Sequence, residues 1–266
     1  MILSNRVTRN RKFLAKEGIS LDQVLQGLPK KRRMAESVLA RITSLSPLRD
    51  NPIILDIGAA QGETCIAFRE LGYRCIGVEP SPLARENATH LSHAIGLPIE
   101  MVDGVAESLP FATESFDLVT AASVIEHVIN VEKTFQEICR VLRPGGAFWF
   151  HTASAMCPKQ DEIAGFPLFG WYPDLLKKKI MQWAKENRPE LVGYTQVPAI
   201  HWFTPGKARR LLMDPGFRKI FDRWDLLALD INLSRHRFFI KLISKSPVLK
   251  LFADLARTGC SYAAIK

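Results

Sequence analysis

Between Ile53 and Pro80 the chain gathers residue types suited to holding a nucleotide. Asp56 follows an apolar run, a bend carries Gly58, Ala60 and Gly62, and Glu79-Pro80 ends a second apolar run. Glycine lets the backbone approach a ligand closely or take a positive φ. A carboxylate at the end of a second strand accepts two hydrogen bonds from a ribose diol, which makes Glu79 the expected sugar clamp. The bend is not the dinucleotide fingerprint G-x-G-x-x-G, because Gly58 and Gly62 enclose Ala59, Ala60 and Gln61. It fits D-x-G-x-G-x-G with Ala60 in place of the middle glycine.

The elements that must position these residues follow from hydrophobic pattern. Ile53, Ile54 and Leu55 read as a buried parallel strand, Thr64 to Leu71 as a helix and Tyr73 to Val78 as a second strand, which makes a βαβ unit. Pro82 to Ile95 predicts a helix that stops at Gly96-Leu97-Pro98, followed by a short third strand, Pro98 to Val102. Phe116 to Ala121 is the expected fourth strand. Val131, Phe135, Ile138 and Leu142 share a helical face that Pro144-Gly145-Gly146 terminates, and Ala147 to His151 is the expected fifth strand.

In this order, ILDIGAAQG, GVEPS, GVAESLPF, FDLVTAASVIEHV and RVLRPGGAF resemble a class I S-adenosylmethionine-dependent methyltransferase, over roughly Asn51 to Ser154. The wording A-E-S-L-P-F and V-I-E-H-V is similar to the quinone-biosynthesis group (the methyltransferase type 11 group). The resemblance implies an α/β, Rossmann-like, doubly wound sheet of seven mostly parallel strands, with helices on both faces and an inserted lid region after strand five. It implies S-adenosyl-L-methionine as cofactor. Asp56 would then engage the methionine ammonium, the backbone at Gly58, Ala60 and Gly62 would pass beneath the cofactor, and Glu79, beside Pro80, would take the ribose hydroxyls. Relatives place an acidic residue before A-E-x-L-P-F for the adenine amino group. Here that position is Val105, next to Ala106, so the bond is absent or comes from Asp103, while Val105 and Ala106 pack on the ring.

Ser123, Glu126 and His127 follow the fourth strand, where acceptor and methyl should meet. His127 has the titration range of a base; a histidine that fixes the loop by hydrogen bonding is the other reading. His151 and His201 also fall near the expected cleft. No N-P-P-Y or D-P-P-Y tetrad follows the fourth strand, where Ala121-Ala122-Ser123-Val124 stands instead, which argues against adenine or glutamine-amide acceptors.

At 266 residues the chain holds one ordinary α/β domain with additions, and it has no apolar run of the ~20 residues a bilayer span needs. Its N-terminus mixes Arg6, Arg9, Arg11 and Lys12 without an apolar segment behind them, so no secretory signal is expected. The five cysteines form no C-x-x-C pair, which points to reduced thiols, no metal site and a cytoplasmic location. Charge is segregated within the net +9. Residues 1–50 carry 11 basic and 4 acidic side chains, residues 51–204 carry 12 and 18, and residues 205–266 carry 13 and 5.

The expected organisation is a basic extension at 1–50, a cofactor core at 51–152, an aromatic-rich insertion at 153–203 and a C-terminal completion at 204–266. In the extension, Ser20 to Leu25 is a candidate short helix capped by Ser20, and Lys30 to Leu45 an amphipathic helix. The insertion, with Phe166, Phe169, Trp171, Tyr172, Trp183, Tyr194 and Trp202, fits either a lid or a structural insertion with its own small core, and Pro173 to Glu186 should be helical. Thr204 caps a helix ending at Gly216, Phe217 to Leu227 is the expected sixth strand, and Cys260 to Ile265 the seventh, an edge or hairpin strand. From Arg235 to Lys250, Phe238, Phe239, Leu242 and Ile243 alternate with basic residues. A packed helix with a solvated face is the simpler reading, and docking on an anionic membrane the alternative. The favoured function is methyl transfer to a small-molecule or lipid-like acceptor. RNA as acceptor, through Lys30-Lys31-Arg32-Arg33 and the C-terminal basic run, and cofactor binding without catalysis are the competitors.

Overall fold

The computed structural model describes residues 21–193, 197–229 and 237–266 of the chain; the expected cap Ser20, and Tyr194 and Arg235, lie outside them. Strand β1 (Ile53–Ile57) is buried after its first residue. It pairs in parallel with β2 (Arg74–Val78) and with β4 (Phe116–Ala122), and β2 pairs in parallel with β3 (Glu100–Val102). With β5 (Leu142–Ala153), β6 (Lys219–Phe221) and β7 (Gly259–Ile265) these make one seven-stranded sheet of order β3-β2-β1-β4-β5-β7-β6. The register sets Ile57 against Val78 and Ala121, so β1, β2 and β4 finish level and their following loops leave from one edge. The β6–β7 pair is antiparallel.

The chain divides into two compact units, one of residues 1–121 and 140–148, the other of residues 122–139 and 149–266. In the first, α1 (Leu21–Leu45) packs on α2 (Glu63–Glu70). The helix starts nine residues before the expected Lys30 and runs through Pro29. A proline there removes one helical hydrogen bond. Leu28, buried against Ile66 and Leu91, supplies the packing that carries the helix across it. Helix α3 (Pro82–Ala94) begins as read, with the Ser81 hydroxyl accepting from Ala84 N at 3.2 Å and Pro in its first turn.

Beneath β4, Asp117 gathers a polar knot. It accepts from Ile53 N at 2.8 Å and from Arg143 Nη1 at 3.0 Å through both oxygens, and it pairs with Arg49. Because Arg143 is committed to Asp117 and to the Glu114 carbonyl, the chain turns into the sheet directly after α4 (Val131–Val141). Strand β5 therefore begins at Leu142, five residues before the expected start, and includes Pro144-Gly145-Gly146, with Gly145 at φ 76°.

In the second unit the insertion has its own core: Ala153, Ile163, Phe169, Met181, Ala184, Val192, Ala199 and Trp202 pack together. Helix α5 (Asp174–Asn187) lies one residue from its expected bounds. Its Lys177, buried, pairs with Asp174 at 2.8 Å and sits 4.3 Å from the centre of the Trp202 ring. Helix α6 (Pro205–Met213) is capped by Thr204, as read, and stops three residues short of the expected Gly216.

Past α6 the structure departs from the sequence reading in three places. The expected sixth strand is only β6, because Asp222 starts a helix, α7 (Arg223–Ala228): its carboxylate accepts from Trp224 N and Asp225 N, and Asp225 returns the bond to Asp222 N. Of the two readings of the seventh strand, the edge is ruled out, since β7 lies between β5 and β6, and β7 pairs antiparallel with β6. The packed-helix reading holds only in part. That region forms α8 (Arg237–Lys245) and α9 (Pro247–Leu255), of which only Ile240 is buried, while Phe238 and Phe252 are 74% and 65% exposed. No helix among the described residues is long and apolar enough to cross a membrane.

Phe169 is fully buried, with ring contacts to Phe166, Tyr172 and Trp202. Phe169→Ala should cost about 3–5 kcal/mol of the stability of the second unit, read as an earlier urea midpoint by tryptophan fluorescence.

Candidate active site

In the first unit the loop after β1 is held by the end of β2. Gly58 N and Ala59 N both donate to the Val78 carbonyl, at 2.8 and 3.1 Å, and Gly62 N closes the turn onto Ala59 O at 2.8 Å. Gly58, Ala60 and Gly62 all take positive φ, at 66°, 46° and 74°. Gly62 also has no room for a side chain, since a Cβ would meet Ile99 Cδ1 and Ala88 Cβ. Ala60 bears the left-handed conformation with a methyl group, which costs roughly 1–2 kcal/mol.

Glu79 spans two loops. One carboxylate oxygen accepts from Ala60 N at 3.1 Å and the other from Ser81 N at 3.0 Å. A carboxylate offers about four lone-pair positions, so two stay open to a ligand. Pro80 follows between Glu79 and the cap of α3. Arg85 ties the floor together, donating to the Glu79 carbonyl at 2.6 Å and to Asp103 Oδ1 at 2.7 Å. The Asp103 carboxylate is thus engaged by an arginine and is largely exposed. Val105 is half exposed in a small antiparallel bridge with Ser108, and Ala106 is buried.

Asp56 is buried at the end of β1, where Thr120 Oγ1 donates to its Oδ1 at 2.7 Å. Desolvation dominates, raising its pKa to about 6 despite that bond and the charge of Lys31.

In the second unit, Ser123 has left-handed φ (58°), and its N–H is fixed by the His151 carbonyl at 2.8 Å. Sparsely populated backbone of this kind persists only where the surroundings enforce it. Glu126 is buried, with Oε2 accepting from Thr152 Oγ1 at 2.8 Å, and its backbone carbonyl accepts from Ile200 N and His201 N. Burial raises its pKa to about 7. Burial also lowers His127, and the carbonyls of Pro198 and Val197 offset this only in part; its Nδ1 is buried without a hydrogen-bond partner. His151 faces Ser261 Oγ at 2.9 Å and His201 faces the Val128 carbonyl at 2.9 Å, both lowered by desolvation. Glu162, to which the sequence reading assigned nothing, is raised to about 7, first by burial and further by the charges of Glu126 and Asp161. Its Oε2 is buried and unpartnered.

Comparison with known proteins bears on the first of these sites. Residues 55–150 match the methyltransferase domain family model. The chain is 38% identical over 96 residues to an uncharacterized methyltransferase, YcgJ, of Bacillus subtilis, covering 36% of this chain and 38% of that one. It is 31% identical over 150 residues to a ubiquinone biosynthesis O-methyltransferase of Methylobacterium, covering 54% and 59%. It is 36% identical over 118 residues to a ubiquinone/menaquinone biosynthesis C-methyltransferase of Nitrobacter hamburgensis, covering 41% and 46%. The chain thus spans less than two thirds of the length of these relatives. An S-adenosylmethionine-dependent methyltransferase structure from Mesorhizobium loti shares the fold, with TM-score 0.55 and 17% identity over 85% of this chain and 95% of that one. Residues 55–150 are thus similar to a methyltransferase domain, and the fold is the one that the Mesorhizobium loti structure shows.

The glycine bend, Asp56 and Glu79 were readable because the motif fixes their spacing. Thr120, Arg85 and Glu162 were not, since each acts through a partner distant in sequence; only the A-S-V-I-E-H stretch hinted at Glu126. Ala60→Gly should relieve the strained methyl and stabilise the chain by roughly 0.5–1 kcal/mol, seen as a higher melting temperature. For Glu126, the folded pKa of about 7 exceeds the unfolded 4.5, so the folded state holds the extra proton between those values and stability falls as pH rises across that window. Glu126→Gln should therefore gain on the parent protein by about 2–3 kcal/mol between pH 4.5 and 8, measured by urea titration at each pH.

Proposed function

We propose that the chain binds S-adenosylmethionine through its first unit and transfers a methyl group to a small, apolar or lipid-like acceptor. The observation that carries the reading is the Glu79 carboxylate, fixed by Ala60 N and Ser81 N with lone pairs left for a sugar diol. The bend fits the same ligand: three consecutive-turn positions with positive φ bring backbone close, and Gly62 has no space for a side chain. The donor set is acidic, Asp56 and Glu79, which suits a ligand bearing an ammonium and a sulfonium charge. Asp103 keeps a second oxygen for an adenine amino group, while Val105 and Ala106 offer apolar surface to the ring.

The bound cofactor supplies an already activated methyl on a positively charged sulfur, so no protein nucleophile is required. The residues of this chain have two tasks. Asp56, steadied by Thr120, and Glu79 hold donor groups in a fixed frame, and alignment of this kind supplies roughly 7–11 kcal/mol of a displacement barrier. Glu126, with a pKa of about 7, and His127, held neutral by burial, are matched to take a proton from an acceptor hydroxyl near neutrality. Thr152 orients the Glu126 carboxylate for that role. The quinone-pathway names of two relatives support an apolar ring or polyprenyl acceptor, and the aromatic core of the insertion is in keeping with it.

Two measurements test the reading. Calorimetry with S-adenosylhomocysteine should give binding that Glu79→Gln weakens roughly ten- to hundredfold; unchanged affinity discards the sugar-clamp role. With methyl-labelled cofactor and a panel of apolar phenols and polyprenylated rings, label should enter an organic-extractable product. Its rate should rise with pH through an apparent pKa near 7 that Glu126→Gln removes. Tight cofactor binding with no labelled product from any acceptor would leave a binding protein instead of an enzyme.

A further inference from the structure

Helices α8 and α9 carry apolar side chains that the fold does not use. Phe238, Phe239 and Leu242 on α8 are 74%, 63% and 49% exposed, and Val248, Leu251 and Phe252 on α9 are 61%, 46% and 65% exposed. In α9 no residue is buried. What pins α9 is polar. Lys250 Nζ reaches Asp222 Oδ2 at 2.7 Å, Trp224 Nε1 donates to Asp254 Oδ1 at 2.8 Å, and Ser246 caps α9 through Leu249 N. On α8, Ile240 alone turns inward. A chain that ties α9 down by an ion pair and hydrogen bonds and leaves seven large apolar groups of α8 and α9 exposed, Leu249 included, has built a surface to be covered by something else.

The charge around that surface selects the occupant. Residues 237–257 carry five basic side chains and one acidic, Asp254, and Asp254 is already engaged by Trp224. Lys241 and Lys245 on α8 and Arg257 just past α9 are exposed, whereas Lys250 is held by Asp222. A second copy of the chain docking face to face would set these lysines against one another. A neutral apolar partner would leave them unmatched. Aromatic and aliphatic residues beside lysines on a short helix, with no intervening carboxylate up to Ala253, are the composition of a helix lying at the interface of an anionic bilayer.

We propose that α8 and α9 dock this chain on anionic membrane surfaces, with Phe238, Phe239, Leu242, Val248, Leu251 and Phe252 entering the headgroup–acyl boundary and Lys241 and Lys245 facing lipid phosphates. This docking does not depend on the transferase reading and is tested without cofactor. The full chain is sedimented with vesicles of phosphatidylcholine alone and of phosphatidylcholine with phosphatidylglycerol. Pelleting is expected with the anionic vesicles and should weaken as salt rises. The double substitution Phe238→Ser with Phe252→Ser should lower partitioning at least roughly tenfold, and Lys241→Glu with Lys245→Glu should remove the preference for phosphatidylglycerol. Both variants change exposed positions and should keep the parent circular dichroism and melting temperature. Tryptophan introduced by Phe239→Trp should be quenched by brominated lipid. Absence of pelleting with anionic vesicles, equal pelleting of the serine variant, or no quenching overturns the proposal. So does a dimer in sedimentation velocity that the serine substitutions dissolve, which would assign the face to a second copy.

Discussion

The carboxylate of Glu79 is the constraint on which the first unit's site is built. It sits at the end of β2 and reaches the amide of Ala60 in the loop after β1 and the amide of Ser81 at the start of α3. Two loops that would otherwise move independently are thereby referenced to one side chain. The parallel register makes this possible, because Ile57 and Val78 end level and the Val78 carbonyl can hold both Gly58 and Ala59. Arg85 extends the frame to β3 through Asp103. A sugar-sized ligand placed on Glu79 would meet backbone whose position is already determined, so little ordering cost is left for binding.

Electrostatics in the second unit follow a different logic. Glu126, Glu162, His127, His151 and His201 are all driven toward their neutral forms, in each case chiefly by burial. Opposing charges would have shifted acids and bases in the other directions. Two carboxyls near neutrality, of which Glu162 is also raised by the charge of Glu126, and three imidazoles lowered by burial can exchange protons in a narrow pH range without carrying a large net charge. That suits chemistry on an uncharged acceptor better than recognition of a phosphate-rich polymer.

Most of the sheet and the glycine-bearing loop after β1 were legible in the sequence, and the reasons are local. Short, mostly apolar stretches between turns define β1 and β2, and Val131, Phe135 and Ile138 mark α4 by period. Errors arose where a single side chain redirects the backbone. Arg143 draws the chain into β5 early, Asp222 converts the end of β6 into α7, and Leu28 sustains α1 across Pro29. The capping box at Asp222 and Asp225 was visible in principle, but an apolar run around it suggested a strand. Exposure of Phe238 and Phe252 could not be read at all, because an amphipathic pattern states that a face will be covered and not by what.

The insertion after β5 folds around Phe169 and Trp202, with Lys177 spread over the indole and Asp174 neutralising it. A segment with its own apolar nucleus can be rebuilt, lengthened or exchanged with little disturbance to the glycine bend, which belongs to the other compact unit. Changes confined to that stretch of chain would then leave the hydrogen bonds from Ala60 and Ser81 to Glu79 in place.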